Sequence, residues 1–259
     1  MVFLLAKIFD VHFNTPVEAF VFFDIQICLL AVTWMRQERV HESSFIIKIT
    51  HMNIAIIGTG NVGSSLALAF KKAGHHVVLG VRNPQAMFKG KDLAIEHAIS
   101  FYNIEKAVEM SDVIVISAPG DVAHEVAKQL GNVAGKVIID TMNALFKKPG
   151  SYSNTADAVL ANCNCTDVVK CFNTTGFENM ADPVYNGTAI DMFVAGSSTK
   201  AKQTAIRLAK DIGFAEVYDF GGNDKFDLIE QFALCWVNLA IIQKQGRNLA
   251  FKILRRNIT

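Results

Sequence analysis

The sequence lacks any marked excess of charge, so it has little to attract a charged macromolecule. Its 25 lysine and arginine residues nearly balance its 24 aspartate and glutamate residues, which leaves a net charge of +1. Proteins that bind nucleic acid or acidic membrane surfaces usually carry a basic patch or a large positive charge. We therefore expect no nucleic-acid partner for this chain.

Cysteine is scarce and poorly spaced for metal chemistry. The five cysteines form no C-x-x-C pair and no zinc-binding pattern, and the closest two are Cys163 and Cys165. Two reduced thiols in a loop explain that pair better than a redox centre does. The sequence therefore predicts no metal site, and a cytoplasmic location fits best because the cytoplasm keeps thiols reduced.

Motifs that supply a nucleophile or a metal-bound water are also missing. There is no Gly-x-Ser-x-Gly and no His-Glu-x-x-His, and the seven histidines are scattered. We expect no catalytic side chain. Reactions that depend mainly on positioning two substrates are compatible with this lack, whereas reduction of a ketone normally needs a proton donor.

What the sequence does contain is a dinucleotide-binding pattern near residue 60. Asn53–Ile57 is an apolar run typical of a buried parallel strand. The turn Gly58–Gly63 has the spacing G-x-G-x-x-G, a helix is predicted over 64–72, and a second strand over 76–79. A glycine turn without a ligand is the alternative. The whole pattern nevertheless falls within about thirty residues, as a dinucleotide fingerprint requires.

Each glycine of the turn has a physical role in that interpretation. Gly58 allows a tight turn, Gly60 lets a pyrophosphate approach the backbone, and Gly63 lets the helix pack close to the strand. The amino end of the helix adds free N–H groups and the positive end of the helix dipole.

The end of the second strand distinguishes NADP from NAD. An NAD site usually has an aspartate or glutamate there to hold the ribose 2′-hydroxyl, but no carboxylate occurs between Gly63 and Asp92. Arg82 lies there instead, and a guanidinium binds a 2′-phosphate through two parallel hydrogen bonds. We therefore predict NADP(H) as the cofactor, with a solvated surface arginine as the alternative.

Polar loops follow three later strands. Ligands of open α/β sheets bind at the carboxyl ends of the strands, so these loops are candidate site segments. Asp140 is interpreted either as a turn residue or as a support for Asn143, whose amide could reach the nicotinamide. The three loops are Ser117–Gly120, Asp140–Asn143 and Asn173–Phe177.

These patterns predict an α/β fold: a Rossmann-type, doubly wound, mostly parallel sheet with a small C-terminal helical region. We divide the chain into an N-terminal extension (1–51), an NADP-binding domain (52–221) and the C-terminal helical region (222–259). Helices are predicted over 225–245 and 247–256, and their broad apolar face favours a homodimer.

The first 51 residues differ from the rest in composition. Residues 17–34 are apolar enough to suggest a membrane helix, but Glu18 and Asp24 interrupt them. We favour an upstream extension that results from a start codon assigned too early. A helix packed on the domain is the second interpretation and a membrane anchor is the third, so a membrane partner is not expected.

Several segments together resemble one family. They are IAIIGTGNVGSSLALAFKKAGHHVVLGVRNP, DVIVISAPGDVAHEV, VIIDTMNAL, SYSNTADAVLA, VVKCFNTTGFENM and LIEQFALCWVNLAIIQKQGRNLAFKIL. In this order they resemble the deazaflavin-dependent NADP oxidoreductases and related dinucleotide-binding enzymes, from Met52 to about Arg255. The reductase domain of six-transmembrane ferric and cupric reductases is similar too.

The resemblance implies NADP(H) as cofactor and a deazaflavin or flavin as second substrate. It implies that the pyrophosphate is held by Thr59, Gly60, Asn61 and Val62. It assigns the 2′-phosphate to Arg82, with Asn83 beside it. It assigns the nicotinamide half to Ile116, Ser117, Ala118, Pro119 and Asn143, and the second ring to Asn173, Thr174, Thr175 and Gly176.

The predicted function is therefore hydride transfer between NADPH and a small-molecule acceptor of the deazaflavin or flavin kind. A relative of pyrroline-carboxylate reductases or hydroxyacid dehydrogenases is a second possibility, but such enzymes use a longer helical domain or a catalytic lysine on a helix. Lys170, by contrast, lies on a predicted strand. A non-catalytic NADP(H) sensor and an enzyme that delivers electrons to a metal are the remaining alternatives.

Overall fold

The computed structural model describes residues 51–256, and within that range ten strands form two sheets. The strands are β1 (Asn53–Ile57), β2 (His76–Val81), β3 (Ser100–Asn103), β4 (Val113–Ile116), β5 (Val137–Asp140), β6 (Val168–Cys171), β7 (Val184–Tyr185), β8 (Thr188–Ala189), β9 (Met192–Ala195) and β10 (Val217–Asp219).

Eight α-helices alternate with these strands over the same residues. They are α1 (Asn61–Lys72), α2 (Lys91–Glu96), α3 (Ile104–Glu109), α4 (Ala123–Lys128), α5 (Thr155–Ala161), α6 (Phe177–Ala181), α7 (Thr199–Asp211) and α8 (Phe226–Val237). Short 3₁₀ turns precede α4 (Gly120–Val122) and α8 (Asn223–Lys225), and a π-helical turn follows α8 (Asn238–Ile242).

The main sheet has the strand order of a doubly wound dinucleotide-binding fold. Its eight strands run β3-β2-β1-β4-β5-β6-β9-β10. The first six are parallel, β9 is antiparallel to β6, and β10 is parallel to β9. The order reverses between β1 and β4, which is the switch point where such sheets bind ligands. The predicted fold class is confirmed.

Two apolar layers cover the two faces of this sheet. Side chains of neighbouring residues on a strand point to opposite faces. Ile54 and Ile56 accordingly join the layer that contains residues of α1 and α7, whereas Ala55 and Ile57 join the layer that contains residues of α3, α4 and α5. Continuous apolar strands are what a parallel sheet buried on both faces requires.

Two predicted glycine roles at the β1–α1 turn are supported by distances. Gly58 has a φ of +104°, a value that glycine adopts without strain. A Cβ on Gly63 would lie 1.9 Å from the carbonyl oxygen of Gly58, so only glycine lets α1 begin this close to β1. The helix begins at Asn61, three residues earlier than the predicted Ser64.

The predicted helix over 247–256 is wrong. This segment is irregular, and its polar groups bond to distant parts of the chain instead. The Leu249 carbonyl accepts from Trp236 Nε1 at 2.8 Å, and the Ile253 amide donates to Asp191 Oδ2 at 2.8 Å. The predicted helix over 225–245 also ends early, at the π-helical turn, and Lys244 has a φ of +56°.

Within the described range, no helix combines the length and the apolar character needed to cross a bilayer. The predictions made for residues 1–50, including the apolar stretch 17–34, lie outside the described residues. The domain limits 1–51, 52–221 and 222–259 remain predictions.

We predict that Gly63→Ala destabilises the protein, because the added methyl group meets backbone that cannot move without displacing β1. Overpacking of this kind costs about 3 kcal/mol, which a denaturant unfolding curve measures. Gly60→Ala is the control: a Cβ there meets nothing within 4 Å, so the expected loss is about 1 kcal/mol or less. Equal losses for the two variants would contradict this account.

Candidate functional site

A cleft of about 1400 Å³ lies at the carboxyl ends of the central strands, where the strand order reverses. It runs from the loop after β2 to the start of α6. Eleven of the residues predicted from the sequence line it: Gly58, Thr59, Gly60, Asn61, Val62, Arg82, Asn83, Ser117, Ala118, Pro119 and Asn143.

The glycine turn forms one wall of the cleft. Gly60 is the N-cap residue of α1 and has no side chain with which to cap it. The first amides of a helix have no partner within the helix, and here they lie at the cleft. A Cβ on Gly60 would meet open space, so the backbone of the turn is accessible to a ligand.

Close backbone contacts hold the loops around the cleft together. A Cβ on Gly58 would lie 2.3 Å from the Ser117 carbonyl oxygen, and one on Gly120 would lie 2.1 Å from the Asn143 carbonyl oxygen. The Thr141 hydroxyl donates to the Ile116 carbonyl at 2.9 Å. The loops after β1, β4 and β5 therefore pack as one surface, with little room for side chains between them.

The loop after β2 forms a basic end of the cleft. Arg82 is exposed there, and within residues 51–256 it forms no hydrogen bond or ion pair. Asn83 Oδ1 accepts from the Gln85 amide at 3.0 Å, which turns the chain. Lys89 also lines the cleft. Lys89 could not be predicted from the sequence, because only the folded loop brings it to the same cleft as Arg82.

Six predicted site residues do not line the cleft. Gly63 and Ile116 are buried in the chain behind its wall. In the loop after β6, Asn173 and Thr174 are 5% and 2% exposed. That loop reaches the cleft through Phe177 and Glu178 instead. The residues behind the lining are Gly63, Ile116, Asn173, Thr174, Thr175 and Gly176.

Asn173 nevertheless bonds to Asn143, a residue that lines the cleft. Asn143 Nδ2 donates to the Asn173 carbonyl at 2.8 Å, and Asn173 Nδ2 donates to Asn143 Oδ1 at 2.9 Å. Asn173 Oδ1 is buried without a hydrogen-bond partner among the described residues. The pair therefore retains one spare acceptor, and each nitrogen keeps a second hydrogen.

Asp140 was interpreted either as a turn residue or as a support for Asn143, and its carboxylate forms no direct bond to the Asn143 side chain. Asp140 Oδ1 accepts from the Met142 amide at 2.8 Å, and its Oδ2 accepts from Lys170 Nζ at 2.7 Å. The Asp140 carboxylate therefore bonds to the residue before Asn143 and to a strand neighbour.

Lys170 lies at the centre of a buried charge cluster behind the cleft. Its side chain is fully buried, as is that of Asp140, and Glu230 is 3% exposed. Lys170 Nζ donates to Asp140 at 2.7 Å, to the Met142 carbonyl at 2.8 Å and to the Thr155 hydroxyl at 2.6 Å. It also lies 2.8 Å from Glu230 Oε1.

Charge compensation explains the ionisation of this cluster. Burial alone would lower the pKa of Lys170, but Asp140 and Glu230 outweigh burial and raise it. Burial raises the pKa of Asp140, and Lys170 only partly opposes that effect. Lys170 therefore stays protonated and enclosed, which makes it unsuitable as a catalytic lysine. Sequence analysis missed the cluster because its members are far apart in the chain.

The opposite end of the cleft from Arg82 has an aromatic and ionic corner. Arg247 lies over the ring of Phe177 at 4.9 Å and over the ring of Trp236 at 5.3 Å. It also donates to both oxygens of Glu178, at 2.5 and 3.0 Å. Burial would raise the pKa of Glu178, but Arg247 outweighs it and lowers the pKa. Glu178 is therefore a poor proton donor near neutral pH.

A Tyr-x-x-x-Lys spacing occurs at Tyr102 and Lys106, but it lies away from the cleft. Lys106 Nζ bonds to Glu109 at 2.7 Å on the surface of α3, and neither residue lines the cleft. This spacing therefore provides no catalytic pair for the site.

Comparison with known proteins agrees with the fold and the resemblance. A family described as "NADP oxidoreductase coenzyme F420-dependent" matches residues 53–144. The F420-dependent NADP reductase of Methanothermobacter thermautotrophicus is 26% identical over 228 residues, which cover 80% of this chain and 97% of that protein.

Two further proteins are similar to this chain. A crystal structure from Arthrobacter sp. FB24, assigned as an F420-dependent NADP reductase, superposes with a TM-score of 0.68 at 25% identity, covering 79% of this chain and all of that one. Metalloreductase STEAP2 of Mus musculus is 23% identical over 71% of this chain, which spans only 36% of that protein. The predicted resemblance is confirmed.

We predict that Arg247→Ala releases the C-terminal segment, because it removes an ion pair and two ring contacts at once. Together these are worth roughly 2 kcal/mol. Amide hydrogen exchange of residues 247–253 should become faster, and the midpoint of thermal unfolding should fall. Arg256→Ala removes an exposed arginine of the same segment and serves as the control. Equal exchange in the two variants would contradict the assigned role of Arg247.

Proposed function

We propose that this NADP-dependent oxidoreductase binds NADPH along the cleft and passes a hydride to a deazaflavin or flavin acceptor at the α6 end. The observation that carries the proposal is the order of groups along one continuous cleft. The parallel strands lie in the order β2-β1-β4-β5-β6, so the loops at their carboxyl ends follow the same order. Arg82 and the glycine turn, after β2 and β1, therefore lie on one side of the switch point, and the Asn143 carboxamide, after β5, lies on the other.

The glycine turn and the basic loop fit the charged half of the cofactor. The unpaired amides at the start of α1 suit a pyrophosphate, and the helix dipole adds to that attraction. Arg82 lies at the end of β2, where the ribose 2′-substituent of a dinucleotide binds in this fold. With Lys89 in the same cleft, it supplies positive charge for a 2′-phosphate. No aspartate or glutamate follows β2 at the position where NAD sites usually carry one.

The carboxamide pair fits the nicotinamide half. A nicotinamide carries a carboxamide that both donates and accepts hydrogen bonds, and the Asn143 carboxamide, which lines the cleft, keeps a second Nδ2 hydrogen and a second Oδ1 lone pair. In our proposal Asn143 contacts the nicotinamide end directly. Thr174, Thr175 and Gly176 shape the acceptor side from behind Phe177, as the resemblance implies.

The ionisable groups at the acceptor end favour an acceptor that needs no proton from the protein. When bound, NADPH would supply a hydride, and a flavin-like acceptor would need only a proton from water to complete its reduction. Glu178 is paired with Arg247, and Lys170 is enclosed. In our proposal the cleft acts by aligning the two rings, which is catalysis by positioning.

We also propose that the protein is a homodimer and that it is cytoplasmic. The side chains of Leu228, Ile241 and Ile242 are exposed on α8 and the turn after it, and a second copy of the chain would cover them. A homodimer through these residues and a cytoplasmic location remain our predictions.

The direct test is NADPH oxidation at 340 nm by the purified chain, with a 5-deazaflavin, FMN, FAD or no acceptor. We expect rapid oxidation with one ring class and slow or no oxidation without acceptor. Tight NADPH binding with no oxidation by any ring would instead favour a non-catalytic sensor. Oxidation that requires a ferric or cupric salt would favour electron delivery to a metal.

We predict that Arg82→Ala weakens NADPH binding roughly 10- to 100-fold, because a charged hydrogen bond to a phosphate is worth about 1.5–3 kcal/mol. NADH binding should be unchanged, since NADH has no 2′-phosphate. Nicotinamide fluorescence titration measures both dissociation constants. Arg256→Ala, which removes the same charge from outside the cleft, should leave both unchanged. A wild-type protein that binds NADH and NADPH equally would rule out this role for Arg82.

A further inference from the structure

The buried charge cluster of Lys170, Asp140 and Glu230 takes no part in the proposed hydride transfer, yet three of its hydrogen bonds hold the loop that carries Asn143. We infer that the cluster positions the carboxamide pair of Asn143 and Asn173, and thereby the reacting rings. Lys170, Asp140 and Glu230 are thus positioning residues rather than catalytic ones. This inference rests on the proposed function for its kinetic test only.

The backbone on both sides of Asn143 is held by the cluster. Before it, the Met142 amide donates to Asp140 Oδ1 at 2.8 Å and the Met142 carbonyl accepts from Lys170 Nζ at 2.8 Å. After it, the Ala144 amide donates to Glu230 Oε2 at 2.9 Å. Each of these residues is buried, so water does not compete for the three bonds. Asn143 therefore has a fixed backbone but a side chain that faces the cleft.

Asn173, the hydrogen-bond partner of Asn143, is held through β6. It follows β6 by two residues, and Lys170 lies on that strand. One ammonium group thus connects the strand that leads to Asn173 with the loop that carries Asn143. The amide pair closes the connection at the cleft surface.

Glu230 extends the same network to the C-terminal helix. Its Oε1 accepts from the Thr155 amide at 3.0 Å and from the Thr155 hydroxyl at 3.1 Å. Glu230 lies on α8, as does Trp236, which contacts Arg247 at the acceptor end. The helix beside the proposed acceptor and the loop beside the proposed nicotinamide are therefore joined by one buried carboxylate. Such a link would set the distance between two rings.

Glu230→Gln is the sharpest test because it keeps the size of the side chain. A carboxamide has only one oxygen, so glutamine must release either Ala144 or the partners of Oε1. We expect kcat to fall about 10-fold, while the NADPH dissociation constant changes less than about 3-fold because the phosphate contacts are untouched. The deuterium isotope effect with NADPH labelled at carbon 4 should rise as hydride transfer becomes slower.

Asp227→Asn is the matched control. Asp227 lies on the same helix and accepts hydrogen bonds from Ser153 and Asn154 at 3.1 Å, outside the cluster. We expect unchanged kcat and isotope effect. If Asp227→Asn and Glu230→Gln lower kcat alike, the effect belongs to the stability of α8 and the inference fails.

A double variant distinguishes an effect through Asn143 from a general loss of rigidity around the cleft. If the cluster acts through Asn143, adding Glu230→Gln to Asn143→Ala should lower kcat no further than Asn143→Ala does alone. If the double variant instead shows the product of the two single-variant losses in kcat, the inference is overturned. Should Glu230→Gln not fold, Thr155→Val removes one hydroxyl from the cluster at nearly constant size and is expected to act in the same direction.

Hydrogen exchange tests the inference even if the wild type oxidises no NADPH, a result that would count against the proposed function alone. With NADP⁺ bound, the amides of Met142 and Ala144 should exchange faster in Glu230→Gln than in the wild type or in Asp227→Asn. Unchanged exchange at both amides would show that the cluster does not hold this loop.

Discussion

One buried ammonium group constrains the loops around the cleft. Lys170 can be charged in the interior only if acceptors surround it, because an unpaired buried charge costs several kcal/mol. Those acceptors come from β5, from the loop after it, from the start of α5 and from α8. Removing one partner of such a cluster typically costs about 3–5 kcal/mol. The shape of the site and the stability of the fold therefore depend on the same few contacts.

The glycine turn imposes a second constraint, at the other side of the switch point. Gly58 and Gly63 let β1, α1 and the loop after β4 approach to distances that no side chain permits. The accessible helix amides thus lie beside the loops that carry Ser117 and Asn143. In the proposed function the phosphates of a dinucleotide bind at the glycine turn and its nicotinamide binds near Asn143. This division is what a dinucleotide needs if its nicotinamide is to meet a second ring.

The parts of the fold that depend on neighbouring residues could be predicted from the sequence. The strand Asn53–Ile57 was predicted at its observed bounds, and the roles of Gly58 and Gly63 followed from spacing, because a tight turn is a local feature. Arg82 lines the cleft, in keeping with its distance from the glycines, and its role at a 2′-phosphate stays a prediction.

Features that depend on distant residues could not be predicted in this way. Lys170 and Glu230 are 60 positions apart in the chain, and no local pattern indicates that they meet. The helix predicted over 247–256 failed for a related reason: bonds to Asp191 and Trp236 outweighed a helical pattern of apolar residues. The resemblance directed attention to Asn173–Gly176, but packing buries most of that loop and brings Phe177 and Glu178 to the cleft instead.

The central claim is direct hydride transfer between two rings held by this cleft. The most direct test follows deuterium from carbon 4 of the nicotinamide, labelled on one face at a time, into a 5-deazaflavin, whose reduced carbon retains the label. The account predicts that deuterium from one face alone reaches the acceptor, while deuterium on the other face stays with NADP⁺. Reduction of the acceptor without label, or with equal label from both faces, would contradict it.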